Sequence, residues 1–212
     1  MQIGKPSFKK CPACREQHRY YRGPFFVNLY PYTKWSDGET FNELPSLNKT
    51  KLQICQHCNT FFWFKQMLGG LSFYEYYSAL LFFEKKYSKK NIINLILARQ
   101  NMRKLLYIRL CILRKYNDRI RVFPFENYND KVDKIPENDT TIFIDNARNL
   151  ICLLKELQPK NYFLISELYR NIGKFEESKK VLFNEKDENK KSLLMTEINK
   201  RNSNVIIIES SL

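Results

Sequence analysis

The chain has 212 residues, enough for one or two domains, and its 43% hydrophobic share is ordinary for a folded protein. A formal net charge of +14, from 36 Lys and Arg against 22 Asp and Glu, favours anionic partners over cationic ones. Its longest apolar run, Leu105 to Leu113, is short and holds Arg109, and the polar, basic stretch from Met1 to Lys10 lacks a signal-peptide core, so the expectation is a cytoplasmic protein with no membrane partner.

The first element is a Cys-x-x-Cys knuckle, Cys11 to Cys14, and a second one spans Cys55 to Cys58. Each pair can turn two sulfurs toward one ion, and two pairs complete the closed tetrahedron of a structural zinc site with Cys11, Cys14, Cys55 and Cys58 as ligands. Two disulfides, redox-active pairs or buried free thiols would use the same residues, but the absence of a secretory leader favours a reducing compartment and therefore metal. His57 lies inside the second knuckle and reads as a bystander or as a donor to a ligand, and His18 reads as an exposed polar residue. With only two histidines in the chain, a catalytic zinc with several histidine ligands is excluded.

The gap between the knuckles exceeds the roughly 15–20 residues of a compact ribbon, so it must hold an insertion. Phe25 to Tyr30 read as a strand, Ser36-Asp37-Gly38-Glu39 as a turn, and Lys51 to Ile54 as a returning strand. Phe61-Phe62-Trp63-Phe64 then read as a strand alternating across the sheet, partly under the helices; a base-stacking platform is the sharper but weaker reading, because no Lys or Arg is interleaved before Lys65.

Helical patterns follow Gly69-Gly70. Ser72 and Glu75 have capping-box spacing and open a helix reaching to about Tyr87. A second helix is expected from Asn91 to about Tyr116, with Arg99, Arg103 and Arg114 on one face. Residues 122–140 contain Pro124 and Pro136 and read as a long loop, with Asp139-Thr140-Thr141 starting a helix over Ile142 to Leu157. Cys111 and Cys152 sit in apolar helical stretches and read as core cysteines. Helices are further expected over Asn161 to Ile172, Phe175 to about Asn184, and Ser192 to Lys200, with Gly173 as a left-handed stop and a β-prone tail.

Charge divides unevenly. Residues 1–60 carry 9 basic and 4 acidic side chains, residues 61–121 carry 13 and 3, and residues 122–212 carry 14 and 15. The positive field therefore belongs to the first two-thirds of the chain.

The segment Tyr162 to Phe183 has the tetratricopeptide pattern at Ile165, Tyr169, Gly173 and Ser178, and departs from it at Glu185. One copy makes a helical hairpin rather than a solenoid. More broadly, the chain resembles a bacterial family in which an N-terminal four-cysteine zinc ribbon precedes tetratricopeptide-like helices. The residues carrying this resemblance are the two knuckles, Trp35-Ser36-Asp37-Gly38, Leu44-Pro45, Phe61-Phe62-Trp63, Tyr116-Asn117-Asp118, and Glu167-Leu168-Tyr169-Arg170 through Gly173-Lys174-Phe175-Glu176-Glu177. The resemblance implies an architecture and a zinc site, and it implies no reaction.

These readings combine into an α+β chain: residues 1–66 a zinc ribbon with an inserted hairpin or loop, residues 67–204 a helical domain with the tetratricopeptide-like hairpin at 161–185, and residues 205–212 a tail. There is no phosphate-binding glycine loop, no paired-histidine motif and no nucleophile elbow, so no enzyme or small-molecule substrate is expected. The function read from the chain is a zinc-stabilised protein-interaction module. The alternative is a nucleic-acid binder whose contacts are Lys65, Lys85, Lys86, Arg99, Arg103 and Arg114. Trp35-Ser36-Asp37-Gly38 reads as a turn whose tryptophan covers the metal site.

Overall fold

The computed structural model describes residues 6–21, 32–42, 49–68, 71–88, 95–121, 135–157 and 160–211. Among these residues, six short strands precede six helices, and a seventh strand follows them, an α+β order. β1 (Pro6–Lys10) and β2 (Gln17–Tyr21) form an antiparallel hairpin around the first Cys pair. β5 (Lys49–Ile54) and β6 (Phe61–Leu68) form the equivalent hairpin around the second. Between them lie β3 (Tyr32–Trp35) and β4 (Thr40–Asn42), joined by the expected turn at Ser36 to Glu39, where Gly38 takes φ +79°. The expected strand over Phe25 to Tyr30, the Leu44-Pro45 pair and the Gly69-Gly70 break lie outside the described residues.

Alternation along β6 explains its aromatics. Phe61 and Trp63 point one way, paired with Ile54 and Leu52, and pack on the helices; Phe62 points the other way, onto the cysteines. The core reading of these residues holds for the three whose side chains are described.

α1 (Phe73–Ser88) opens as the spacing predicts. The Ser72 N–H donates to Glu75 Oε2 at 2.7 Å and the Glu75 N–H donates to Ser72 Oγ at 3.3 Å, a reciprocal capping box. α2 is described over Leu95–Asn117; the four residues before it, part of the expected helix, lie outside the described set. α1, α2 and α3 (Glu137–Glu156) share one apolar core, to which Phe83, Ile108, Ile112, Leu113, Phe143 and Leu150 all contribute. Tyr116 stacks on Phe143 with ring centroids 4.0 Å apart.

α3 starts at Glu137, five residues earlier than the sequence pattern places it. Pro136 sits at the N-cap, where its missing N–H costs nothing, and Glu137 and Asp139 complement the positive helix end. Asp139 is almost fully buried because it accepts hydrogen bonds from Tyr74 Oη and Arg119 Nη1, contacts that no local pattern reveals. Burial alone would push its carboxyl up, but those two donors outweigh it and hold it below the usual aspartate value. With the folded value depressed, ionised Asp139 stabilises the fold at neutral pH, and that contribution is lost as pH falls from about 4 through the lowered value. Asp139→Asn is therefore expected to lower the melting temperature at pH 7 and to narrow its gap to the wild type under acid; melting curves that stay parallel from pH 7 to pH 2 would contradict this.

α4 (Tyr162–Asn171) and α5 (Phe175–Leu182) make the expected helical hairpin. Gly173 at φ +76° ends α4, with its N–H on the Arg170 carbonyl and the Lys174 N–H on the Tyr169 carbonyl, a Schellman closure. Ser166 and Ser178 bond each other at the crossing, Oγ to Oγ at 2.9 Å. Glu185, where the chain departs from the repeat pattern, accepts the Phe163 N–H at 3.1 Å and so caps α4 from a distance. α6 (Glu188–Asn199) begins four residues before the expected Ser192, because Asp187 accepts the Lys190 N–H and turns the charged run into a helix start. The tail forms β7 (Ile207–Ser211), which pairs antiparallel with β3 as an edge strand, in the order β4-β3-β7. No helix among the described residues is long and apolar enough to cross a membrane.

Candidate metal centre

The two knuckles are built alike. In the first, the Arg15 N–H bonds the Cys11 carbonyl and the Cys11 N–H bonds the Glu16 carbonyl; in the second, the Asn59 N–H bonds the Cys55 carbonyl and the Cys55 N–H bonds the Thr60 carbonyl. The residue after each pair, Arg15 or Asn59, takes a left-handed φ of 66° or 54°. Asn tolerates that conformation and Arg does so at a cost, which an outside constraint on the first knuckle would offset.

That constraint is visible in the sulfurs. Cys11, Cys14, Cys55 and Cys58 each offer one sulfur, and all four lie within 4.8 Å of one another. Cys11 Sγ is 3.7 Å from Cys58 Sγ, and Cys14 Sγ is 3.6 Å from Cys55 Sγ. A tetrahedron with metal–sulfur bonds of about 2.3 Å has sulfur–sulfur edges of about 3.8 Å, so both separations fit one central ion. A disulfide would need about 2.05 Å, and all six cysteines are free thiols.

The electrostatics agree. The Thr60 hydroxyl, 3.3 Å from Cys58 Sγ, and the Thr60 N–H lower the Cys58 thiol to about 6. The Glu16 N–H pulls the Cys14 thiol down, but burial and the neighbouring thiols outweigh it and push it up to about 12. Sulfurs this close resist joint ionisation because each thiolate repels the next, and a divalent cation removes that conflict.

Two side chains finish the site. Phe62 packs against the cysteines, and His18, its ring 5.2 Å from the Phe62 ring, places Nε2 3.2 Å from Cys55 Sγ. His18 therefore contacts a sulfur of the cluster, whereas His57 is exposed in its knuckle. The sequence hides this because His18 stands four residues beyond its own pair, and only the β1–β2 hairpin folds it onto the other one.

Trp35 does not cover the sulfurs. It is buried at a different corner with the Arg121 guanidinium 5.5 Å over its ring. Ser36 and Asp37, side by side in the same turn, send their side chains in opposite directions. Asp37 Oδ2 accepts from Asn117 Nδ2 at 2.8 Å and from Arg121 Nη2, and Arg121 Nη1 continues to Asp118 at 2.7 Å. Ser36 Oγ donates to Glu167 Oε1 and accepts the Ile206 N–H at 3.0 Å. Glu167 forms a fork with Arg170, whose Nη2 also reaches the Asn204 carbonyl at 2.7 Å. One turn thus ties the ends of α2, α4 and the tail together. Asp37, Glu167, Arg121 and Arg170 are all buried, so these four charges are satisfied by one another and by their hydrogen-bond partners rather than by solvent.

Of the six expected nucleic-acid contacts, Arg99 and Arg103 are exposed on α2, and Lys85 and Lys86 on α1. Arg114 instead pairs with Glu39 at 3.0 Å and reaches the Gly38 carbonyl at 3.3 Å, inside the same clasp. The Lys65 side chain lies outside the described residues. Cys111 is half-buried against the core as expected, but Cys152 is exposed, because it falls on the outer face of α3 beside the buried Ile151.

No protein-family profile, curated protein or solved structure matches the chain. What stands is an α+β protein with a four-cysteine cluster able to hold a metal ion and a helical C-terminal region.

Proposed function

We propose that the chain is a zinc-stapled protein-interaction module without catalytic activity: a zinc ribbon locked by Cys11, Cys14, Cys55 and Cys58, followed by helices with a tetratricopeptide-like hairpin. The observation that carries this reading is the donor set. Four thiolates at tetrahedral spacing suit zinc and leave no coordination position for water or substrate, the hallmark of a structural rather than a catalytic ion. The ion would fix the two knuckles relative to each other and supply no reaction step.

The hairpin at residues 161–185 supports packing more than peptide capture. Ser36 and the Asn202 and Asn204 carbonyls already occupy Glu167 and Arg170 on α4. A protein partner is better served by α1, where Tyr74, Leu81 and Phe82 are 50%, 50% and 37% exposed. Affinity capture from native lysate, with and without nuclease, tests the reading. The expected result is a discrete protein retained after nuclease and lost on Leu81→Asp, with zinc content and melting temperature unchanged. Capture that vanishes with nuclease, or that is indifferent to Leu81→Asp, would overturn it.

A further inference from the structure

A second surface uses residues that the metal centre and the clasp leave aside. α2 carries six cationic side chains and no acid. Three of them are spent internally: Arg109 on Glu84, Arg114 on Glu39, and Lys115 on Asp118. Arg99, Arg103 and Lys104 make no ion pair among the described residues. Arg99, Arg103 and Tyr107 follow at four-residue intervals, so they form one stripe along the helix, with Lys104 beside it.

The β5–β6 hairpin extends that stripe. β1, β5 and β6 also contain no acid. The ladder shifts register around Lys51, between the pairs Thr50–Met67 and Leu52–Trp63. The Lys51 N–H donates to Tyr107 Oη at 3.0 Å, and its Nζ lies 5.8 Å from the centre of the Tyr107 ring. Such irregularities re-aim a side chain, and here the side chain is a cation set over an aromatic face. Lys104 Nζ stands 5.7 Å over the half-buried Trp63 ring, and Trp63 and Tyr107 meet edge to face at 5.7 Å. A ring face that the end of a lysine reaches from solvent is also within reach of a planar base, and every base offers such a face.

We propose that this face binds single-stranded nucleic acid, with phosphates on Lys51, Arg99, Arg103 and Lys104 and one base stacked on Tyr107. Interleaved cations and rings on elements that contain no acid match a flexible strand, which can present phosphate and base together. A duplex hides its base faces, and an acidic peptide has none. The track keeps only Arg99 and Arg103 from the set expected from sequence: it omits Lys65, Lys85 and Lys86, and also Arg114, which the clasp consumes, and it gains Lys51, Lys104 and Tyr107, which only the folded sheet and helix bring together. It does not depend on the α1 protein surface.

The test is fluorescence anisotropy of the full zinc-loaded chain with labelled oligothymidylate, oligouridylate and a DNA duplex across salt concentrations. The expected result is a preference for single strands, with log affinity falling against log salt at a slope of about −3, four cations at about 0.7 each. Arg99→Gln with Arg103→Gln is expected to make that slope shallower by about 1.4. Tyr107→Leu, which keeps an apolar side chain, is expected to weaken binding at least about fivefold with the slope unchanged. Lys179→Gln with Lys180→Gln, on exposed α5 positions, is expected to change nothing. Each variant is first shown to melt at the wild-type temperature. Absence of binding at low salt, duplex affinity equal to that for single strands, retention of a protein partner but no oligonucleotide, or an equal loss in the α5 control would each overturn the proposal.

Discussion

Cys11→Ser is expected to unfold the β1–β2 hairpin while the helical core stays folded. An isolated two-stranded hairpin is marginally stable in water. Among the described residues, the contacts of this hairpin with its neighbours outside the sulfurs include His18 against Phe62 and Lys9 against the Trp63 carbonyl. Structural zinc contributes about 10–16 kcal/mol to comparable small sites, far more than those contacts can replace. Hydrogen exchange should therefore show amides of residues 6–21 losing protection in Cys11→Ser, and in the wild type after chelation, while α3 to α5 keep theirs. The core is sealed independently of the metal by Leu150, Ile165 and Leu168. Protection of residues 6–21 that survives complete metal removal would show that the hairpin needs no staple.

Asp37→Ala is the second substitution with a large expected effect, and it acts in the clasp rather than at the sulfurs. It removes the anion facing Arg121, whose side chain is 2% exposed, and leaves that buried guanidinium, among the described residues, with Asp118 as its remaining ion pair. Breaking one side of a buried pair costs about 3–5 kcal/mol, which in a chain of this size lowers the melting temperature by about 6–20 °C. The paired replacement Asp37→Leu with Arg121→Met should recover most of the loss, because neither charge is then stranded. A drop of under about 1 kcal/mol for Asp37→Ala would mean that the clasp is ornamental, since surface pairs already reach that value. The same logic applies to Glu167 and Arg170, which meet with both side chains fully buried.

The four-cysteine cluster was legible because its geometry is local. Two Cys-x-x-Cys turns specify their own geometry, and only their mutual approach depended on the remaining chain. The capping box at Ser72 and the glycine stop at Gly173 were legible for the same reason: donor, acceptor and left-handed φ all sit within a few residues. The clasp was not. Trp35-Ser36-Asp37-Gly38, Tyr116-Asn117-Asp118 and Glu167 to Arg170 stand out as short motifs, but their partners lie 80 to 131 residues apart, as in Asn117 with Asp37 and Ser36 with Glu167. No periodicity encodes contacts at that range. Helix starts failed where a tertiary or capping interaction overrode the apolar pattern: Asp139 is drawn inward by Tyr74 and Arg119, and Asp187 caps what read as a charged linker. The basic surface was half legible. Net charge identified α2, but which cations remain available depends on where Glu39, Glu84 and Asp118 fall in space.

One ion joining two distant turns is the central claim, and its most direct measurement is the metal content of the full chain purified under reducing conditions, by elemental analysis with native mass spectrometry. The predicted result is zinc equimolar with the chain in the wild type and none retained in Cys55→Ser. A folded, metal-free wild type whose mass shows Cys11–Cys14 and Cys55–Cys58 disulfides would contradict it.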